Sequence, residues 1–262
     1  LEGDLYFVAN ADNQPKRVSA KFRSAAKHAE SWDPFTGKIS AISDSANIQL
    51  DLQPYESRLI FFSDQALPAQ PSRSVGNATE VDLSHGWRVT FANDGQTIDM
   101  PNLRSWTDDP HFLYYSGLAS YEKSFDLLPA YSAAGAAVSL DFGPGTPLEK
   151  PSPLGDHSMR AYLEGPVREA AQVYVNGKLA GSVWRPPYQV DLTPYLKPGK
   201  NDLRITVGNT AINELSGRAL PNYRLLSDRY GIRFVPQDME NLRPLPSGIT
   251  GRITLIETSS AQ

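Results

Sequence analysis

The chain has 262 residues, with 25 Lys and Arg against 29 Asp and Glu, 4 His and no Cys. A formal net charge of −4 lacks the basic excess of a nucleic-acid binder, and the absence of Cys removes disulfides, thiolate metal sites and cysteine nucleophiles. Hydrophobic residues at 40% and charged residues at 21% suit a folded chain long enough for one large or two modest domains, and no apolar run approaches the ~18 residues a membrane helix needs.

Short β-rich runs separated by turn residues dominate. Strands are predicted at Asp4–Asn10, Arg17–Phe22, His28–Asp33, Lys38–Ser43, Asn47–Leu52 and Glu56–Phe62. Ile48, Leu50 and Leu52 alternate with Gln49 and Asp51, the signature of a strand with one wet face. Pro34 and Gly37 suit a type I turn between the third and fourth strands, with Trp32 just before it as a core anchor. The opening residues lack Met and run directly into Leu5–Ala9, as expected of a region of a longer polypeptide.

Residues 65–78 break the rhythm with Pro68, Pro71, Ser72, Ser74, Gly76 and Asn77 and read as a linker. Strands resume at Thr79–Leu83, Trp87–Phe91, Ser120–Phe125, Val138–Phe142, Ala161–Leu163, Gln172–Val175, Lys178–Val183, Gln189–Asp191, Asp202–Val207 and Gly251–Ile256. Asn176-Gly177 between two of them is a strong hairpin signal, because both turn positions need positive φ. Asp191–Leu196 reads as one helical turn stopped by Pro198-Gly199. Asn93–Gly117, Gly143–Arg160 and Ala211–Ser247 show no regular pattern, and loops of that length usually carry function or meet a neighbour.

The run Val173-Tyr174-Val175-Asn176-Gly177-Lys178-Leu179-Ala180-Gly181, followed by Pro186-Pro187-Tyr188-Gln189-Val190-Asp191-Leu192 and Pro198-Gly199-Lys200-Asn201-Asp202-Leu203, resembles the galactose-binding-like jelly-roll domain of many glycoside hydrolases, including the sugar-binding domain of family 2. Trp106, Tyr115-Ser116-Gly117 and Ala119–Phe125 match the earlier part of that pattern. Asn209–Leu215, Leu245–Gly251, Leu5–Asn10, Trp32–Gly37 and Pro54–Ser57 together resemble the C-terminal region of the family 106 α-L-rhamnosidases. The resemblance implies an all-β chain of two β-sandwich domains, a small one at 1–64 and a jelly roll at 79–258. It places the catalytic carboxylates on a barrel preceding residue 1. It further implies a bacterial protein secreted or periplasmic in location.

No motif selects a catalytic pair from the acids present. Asp108, Asp109, Asp228, Asp238 and Glu240 lie in long loops, where acids ordinarily cap turns, so no catalytic residue is assigned. His28, His85, His111 and His157 are scattered without transition-metal spacing. No organic cofactor is required. Oxygen-only calcium sites leave no sharp spacing, and the likeness to jelly-roll carbohydrate modules leaves a structural Ca²⁺ open.

Sugar recognition is the better-matched chemistry. Pyranose rings present apolar C–H faces to aromatic rings and hydroxyls to hydrogen-bonding side chains. Three loops supply such groups: Trp106, His111 and Tyr114; Trp184, Arg185 and Tyr188; and Tyr223, Arg224, Asp228, Arg229 and Tyr230. Each has a structural alternative. Trp106 matches a core position of the jelly-roll pattern, Trp184 and Tyr188 flank Pro186-Pro187 and can pack on it, and the third loop can contact a neighbouring domain. The expectation is a non-catalytic, carbohydrate-binding accessory region of a polysaccharide-degrading glycoside hydrolase. Its partners would be a polysaccharide or oligosaccharide and the catalytic domain of the parent chain, with neither nucleic acid nor membrane. The alternatives are a purely structural brace for the barrel and a fragment with weak glycosidase activity of its own.

Overall fold

The computed structural model describes residues 3–65, 75–127, 137–150, 161–220, 222–231 and 241–260. The first six strands are β1 (Asp4–Ala9), β2 (Lys16–Ala20), β3 (His28–Trp32), β4 (Ile39–Ile42), β5 (Ile48–Leu52) and β6 (Ser57–Ser63). They form an antiparallel sheet in the order β1-β6-β3-β4 and a β2-β5 ribbon. Ala29, Ile48, Leu50, Leu52, Ile60 and Phe62 make the core between them. The rings of Tyr6, Phe22 and Phe62 close it, with centroids 5.0–5.7 Å apart. The alternation of β5 behaves as read, with Ile48, Leu50 and Leu52 buried and Gln49 and Asp51 exposed. Trp32 does not anchor this core. Side chains along a strand alternate in face; Ala29 points into the core, so Trp32 points out of it. There it is half-buried against Phe61, 5.0 Å between ring centroids.

The second sandwich comprises β7 (Val75–Asp82), β8 (His85–Phe91), β9 (Thr97–Asn102), β10 (Leu118–Leu127), β11 (Ala137–Asp141), β12 (Thr146–Pro147), β13 (Leu163–Glu164), β14 (Val167–Arg168), β15 (Ala170–Val175), β16 (Lys178–Val183), β17 (Gln189–Asp191), β18 (Gly199–Gly208), β19 (Gly248–Ile249) and β20 (Thr254–Ser260). Its sheets run β16-β15-β18-β10-β8-β9 and β17-β11-β20-β7, with β12-β13 and β14-β19 as short pairs. One apolar cluster takes Trp87, Phe91, Tyr121, Val173 and Ile205 from the first sheet and Leu140, Val190 and Leu255 from the second. This jelly roll has the predicted hairpin, with φ of 51° at Asn176 and 80° at Gly177, and a 3-10 turn at Thr193–Tyr195.

Three boundaries differ from the sequence reading. The stretch read as a linker holds the start of β7 at Val75, while residues 66–74 lie outside the described residues. The segment Asn93–Gly117 contains β9, whose Pro101 masks it in sequence; an edge strand tolerates proline because its outer N–H groups have no ladder partner. The segment Ala211–Ser247 holds two short helices, α1 (Ile212–Gly217) and α2 (Arg224–Tyr230).

The two sandwiches are joined by polar contacts. Asn13 donates from Nδ2 to the carbonyls of Leu148 at 2.9 Å and Tyr162 at 3.0 Å, and Tyr162 N–H donates to Tyr55 Oη at 2.8 Å. Lys150 pairs with Asp12, and its hydrogen bond, reinforced by Lys16, holds the Asp12 carboxyl well below the usual carboxylate range.

Glu257 on β20 is 1% exposed, and its Oε2 has no hydrogen-bond partner among the described residues. Burial pushes its pKa above the ordinary 4.5. A folded-state pKa raised in this way means the folded protein holds the proton more tightly than the unfolded one. Its contribution to stability is present below pH 4.5 and is lost as pH rises through the folded value. Glu257→Gln should therefore match the parent in urea midpoint at pH 4 and exceed it at pH 7. Equal midpoints at both pH values would remove this carboxyl from the account.

Candidate functional site

A cleft of about 780 Å³ opens between the two sandwiches. One wall is the β3–β4 turn, held by Asp33 and Lys38: Asp33 N–H donates to the Lys38 carbonyl at 2.9 Å, and Gly37 N–H donates to that of Asp33 at 2.9 Å. The Asp33 carboxylate accepts from Phe35 N–H at 2.9 Å and from the Thr36 hydroxyl at 2.8 Å. These bonds project Phe35 from the tip of the turn. Burial opposes the Asp33 charge, but the bonds from Phe35 and Thr36, with Arg185 beyond, outweigh it and lower its pKa.

The facing wall begins where β16 ends. Trp184 is 56% exposed there, and its ring meets Phe35 edge-on with centroids 5.4 Å apart. The Arg185 guanidinium lies 3.2 Å from the Phe35 ring centroid and 3.7 Å from Asp33 Oδ1, while its Nη1 donates to the Pro186 carbonyl at 2.6 Å. Stacking on a ring and pairing with a carboxylate fix a long side chain that would otherwise lose rotamer freedom on binding. Lys38, Glu56, Arg58, Gln189, Asp191 and Tyr195 complete the lining. The arrangement offers two adjoining aromatic rings, a fixed guanidinium, and both hydrogen-bond donors and acceptors.

Of the residues singled out from sequence, Trp184 and Arg185 line this cleft. Trp106 and Tyr188 do not offer their rings to a ligand. Trp106 is 1% exposed and donates from Nε1 to Tyr121 Oη at 2.6 Å, and Tyr188 is buried in the same core. Both are apolar bodies with one polar tip, and the larger core takes up the body. His111 and Tyr114 are exposed, with His111 edge-on to Phe112. Tyr223 precedes α2, and Arg224, Asp228, Arg229 and Tyr230 lie on it; none of these lines the cleft. Phe35, Asp33 and Lys38 also line the cleft; the sequence marks Asp33 and Phe35 only as part of a turn, although an aromatic at the tip of a Pro-x-x-Gly turn is a signal for a surface ring.

Two of the loop acids have structural work. Asp108 caps its own turn, accepting from Ser105 N–H at 3.1 Å, and Asp109 accepts from His111 N–H at 3.0 Å. Asp228 is exposed on α2. His157, Asp238 and Glu240 lie outside the described residues. Among the described residues no group of three or more His, Asp or Glu side chains is placed to hold a metal ion.

Residues 1–46 match the family model of the glycoside hydrolase family 106 alpha-L-rhamnosidases. The structure is similar to that of the rhamnosidase from Novosphingobium sp. PP1Y, with a TM-score of 0.71 and 27% identity, over 98% of this chain and 23% of that one. A curated protein of Formosa agariphila with a provisional beta-glucuronidase name is 29% identical over 140 residues, 52% of this chain and 10% of its own length. The chain thus spans about a tenth of that curated relative. It is an all-β, glycoside-hydrolase-related β-sandwich region.

Proposed function

We propose that this region binds carbohydrate without cleaving it, as an accessory part of an α-L-rhamnosidase-like glycoside hydrolase acting on polysaccharide or oligosaccharide outside the cytoplasm. The cleft between the sandwiches receives the sugar. Trp184, exposed and braced by Phe35, carries the reading: two adjoining rings beside a fixed guanidinium at the wall of a cleft form a stacking platform with hydrogen-bonding groups around it. A pyranose face stacks on the indole, and its hydroxyls bond to Arg185, Lys38 and Asp191. His111, Tyr114 and the α2 residues Arg224, Asp228, Arg229 and Tyr230 stay as outlying contacts for a longer glycan.

Binding is tested on a glycan array and then by calorimetry on the best hit, with calcium added and then chelated. Trp184→Ala should weaken affinity roughly tenfold or more, equivalent to about 1.4 kcal/mol. Unchanged affinity would move the site out of the cleft, and no binding to any glycan would sink the reading. A bracing role is the second reading, favoured by an apolar sheet face on the first sandwich.

A further inference from the structure

The β1-β6-β3-β4 sheet is apolar on both faces. Its inner face builds the small core. On its outer face the register places Phe7, Leu59, Trp32 and Ile39 in one cross-strand row. Leu5 and Phe61 stand opposite each other in the next row. Phe7 is 69% exposed, Leu5 47% and Ile39 38%, and Leu59, Phe61 and Trp32 are half-buried among them. The ionisable group in these rows, Glu30, is 8% exposed and accepts from Trp32 Nε1 at 2.7 Å. A sheet facing water on one side shows polar residues there, whereas a sheet apolar on both sides belongs between two layers. The β2-β5 ribbon supplies one layer, and the described residues supply none for the other.

We infer that this outer face packs against an apolar surface of the polypeptide adjoining this region in a rhamnosidase-type chain. Three observations select that occupant. The whole of this chain corresponds to 23% of the Novosphingobium rhamnosidase, so most of such a chain lies beyond it. The stretch matching the family model, residues 1–46, contains β1, β3 and β4, three of the four strands of the face. Among the described residues the two rows hold one carboxylate, the buried Glu30, with exposed His28 at their margin, a composition that disfavours a polyanion or a hydroxyl-rich glycan and suits a desolvated protein contact. The inference rests on the reading of this region as part of a glycoside hydrolase, and it is independent of whether the cleft binds sugar.

The test is one substitution in two contexts. Phe7→Thr keeps the β-propensity of the strand and removes the ring. In this chain alone the ring is in water, so the melting temperature should move by less than about 1–2 °C. In the full-length Novosphingobium rhamnosidase, Thr at the position aligned with Phe7 should lower the melting temperature clearly more than Phe7→Thr does in this chain alone. A comparable loss in both contexts, or none in either, overturns the inference, as does a polar residue at the aligned position. A concentration-dependent dimer of this chain that Phe7→Thr abolishes also overturns it, by giving the face to a second copy. Trp184→Ala affinity separates this outcome from failure of the sugar-binding reading.

Discussion

Gly248→Ala should destabilise the larger sandwich by about 2–5 kcal/mol, read as a fall in the urea midpoint at unchanged slope. Gly248 has a φ of +90°, a region an L side chain enters only with strain. A Cβ there would stand 2.4 Å from Trp106 Nε1 and 2.5 Å from Tyr121 Oη. Neither ring can retreat: Trp106 and Tyr121 are at most 1% exposed and bonded to each other, and Tyr121 Oη also accepts from Ile249 N–H. Burial pushes the Tyr121 pKa up to about 12, so the hydroxyl stays protonated throughout the working range. The backbone must therefore move, and it carries Ser247, whose hydroxyl accepts from the buried Asn213 amide. A loss below about 1 kcal/mol would mean the strand relaxes freely and this corner is not tightly packed.

Asn201→Ala should cost about 3 kcal/mol, seen as a lower melting temperature. The Asn201 side chain is fully buried. Its Oδ1 accepts from Lys197 N–H at 2.9 Å and Asn176 Nδ2 at 2.8 Å, and its Nδ2 donates to the carbonyls of Lys197 and Gly199, each at 2.8 Å. One amide thus ties the Asn176-Gly177 hairpin to the turn before β18. Alanine removes all four bonds and leaves the part-buried backbone groups of Lys197 and Gly199 without their side-chain partner. Asn201→Asp keeps the shape but not the two donors, so it should be nearly as damaging. Faster amide exchange in the β15–β16 hairpin would accompany both. Full stability in the aspartate variant would show that shape, and not hydrogen bonding, holds the corner.

How far residues predict structure here depends on the range of the interaction. The β5 alternation, the Asn176-Gly177 hairpin and the turn before Pro198 were legible because each is set within a few residues by side-chain period or backbone φ. β9 was illegible because Pro101 is permitted only by its place at a sheet edge, and edges exist only once strands have paired. Trp32 was placed on the wrong face because the string Trp-Asp-Pro does not say which alternate residues of β3 meet the core.

The candidate site divides in the same way. Sequence singled out Trp184 and Arg185 as surface chemistry, and the jelly-roll resemblance located them on a loop after a strand. It could not join them to Phe35 and Asp33, about 150 positions away, because that proximity depends on how the Asn13, Tyr55 and Lys150 contacts seat one sandwich on the other. By itself the sequence determined the all-β class, the turn chemistry and the kinship with glycoside hydrolases, since these follow from local propensity and from motif. The jelly-roll pattern already pointed Trp106 to the core; only the tertiary structure decided that Tyr188 belongs there too, that Trp184 faces a cleft, and that the outer face of one sheet carries a row of apolar side chains. Burial and approach across the chain arise from long-range packing, and no window of neighbouring residues encodes them.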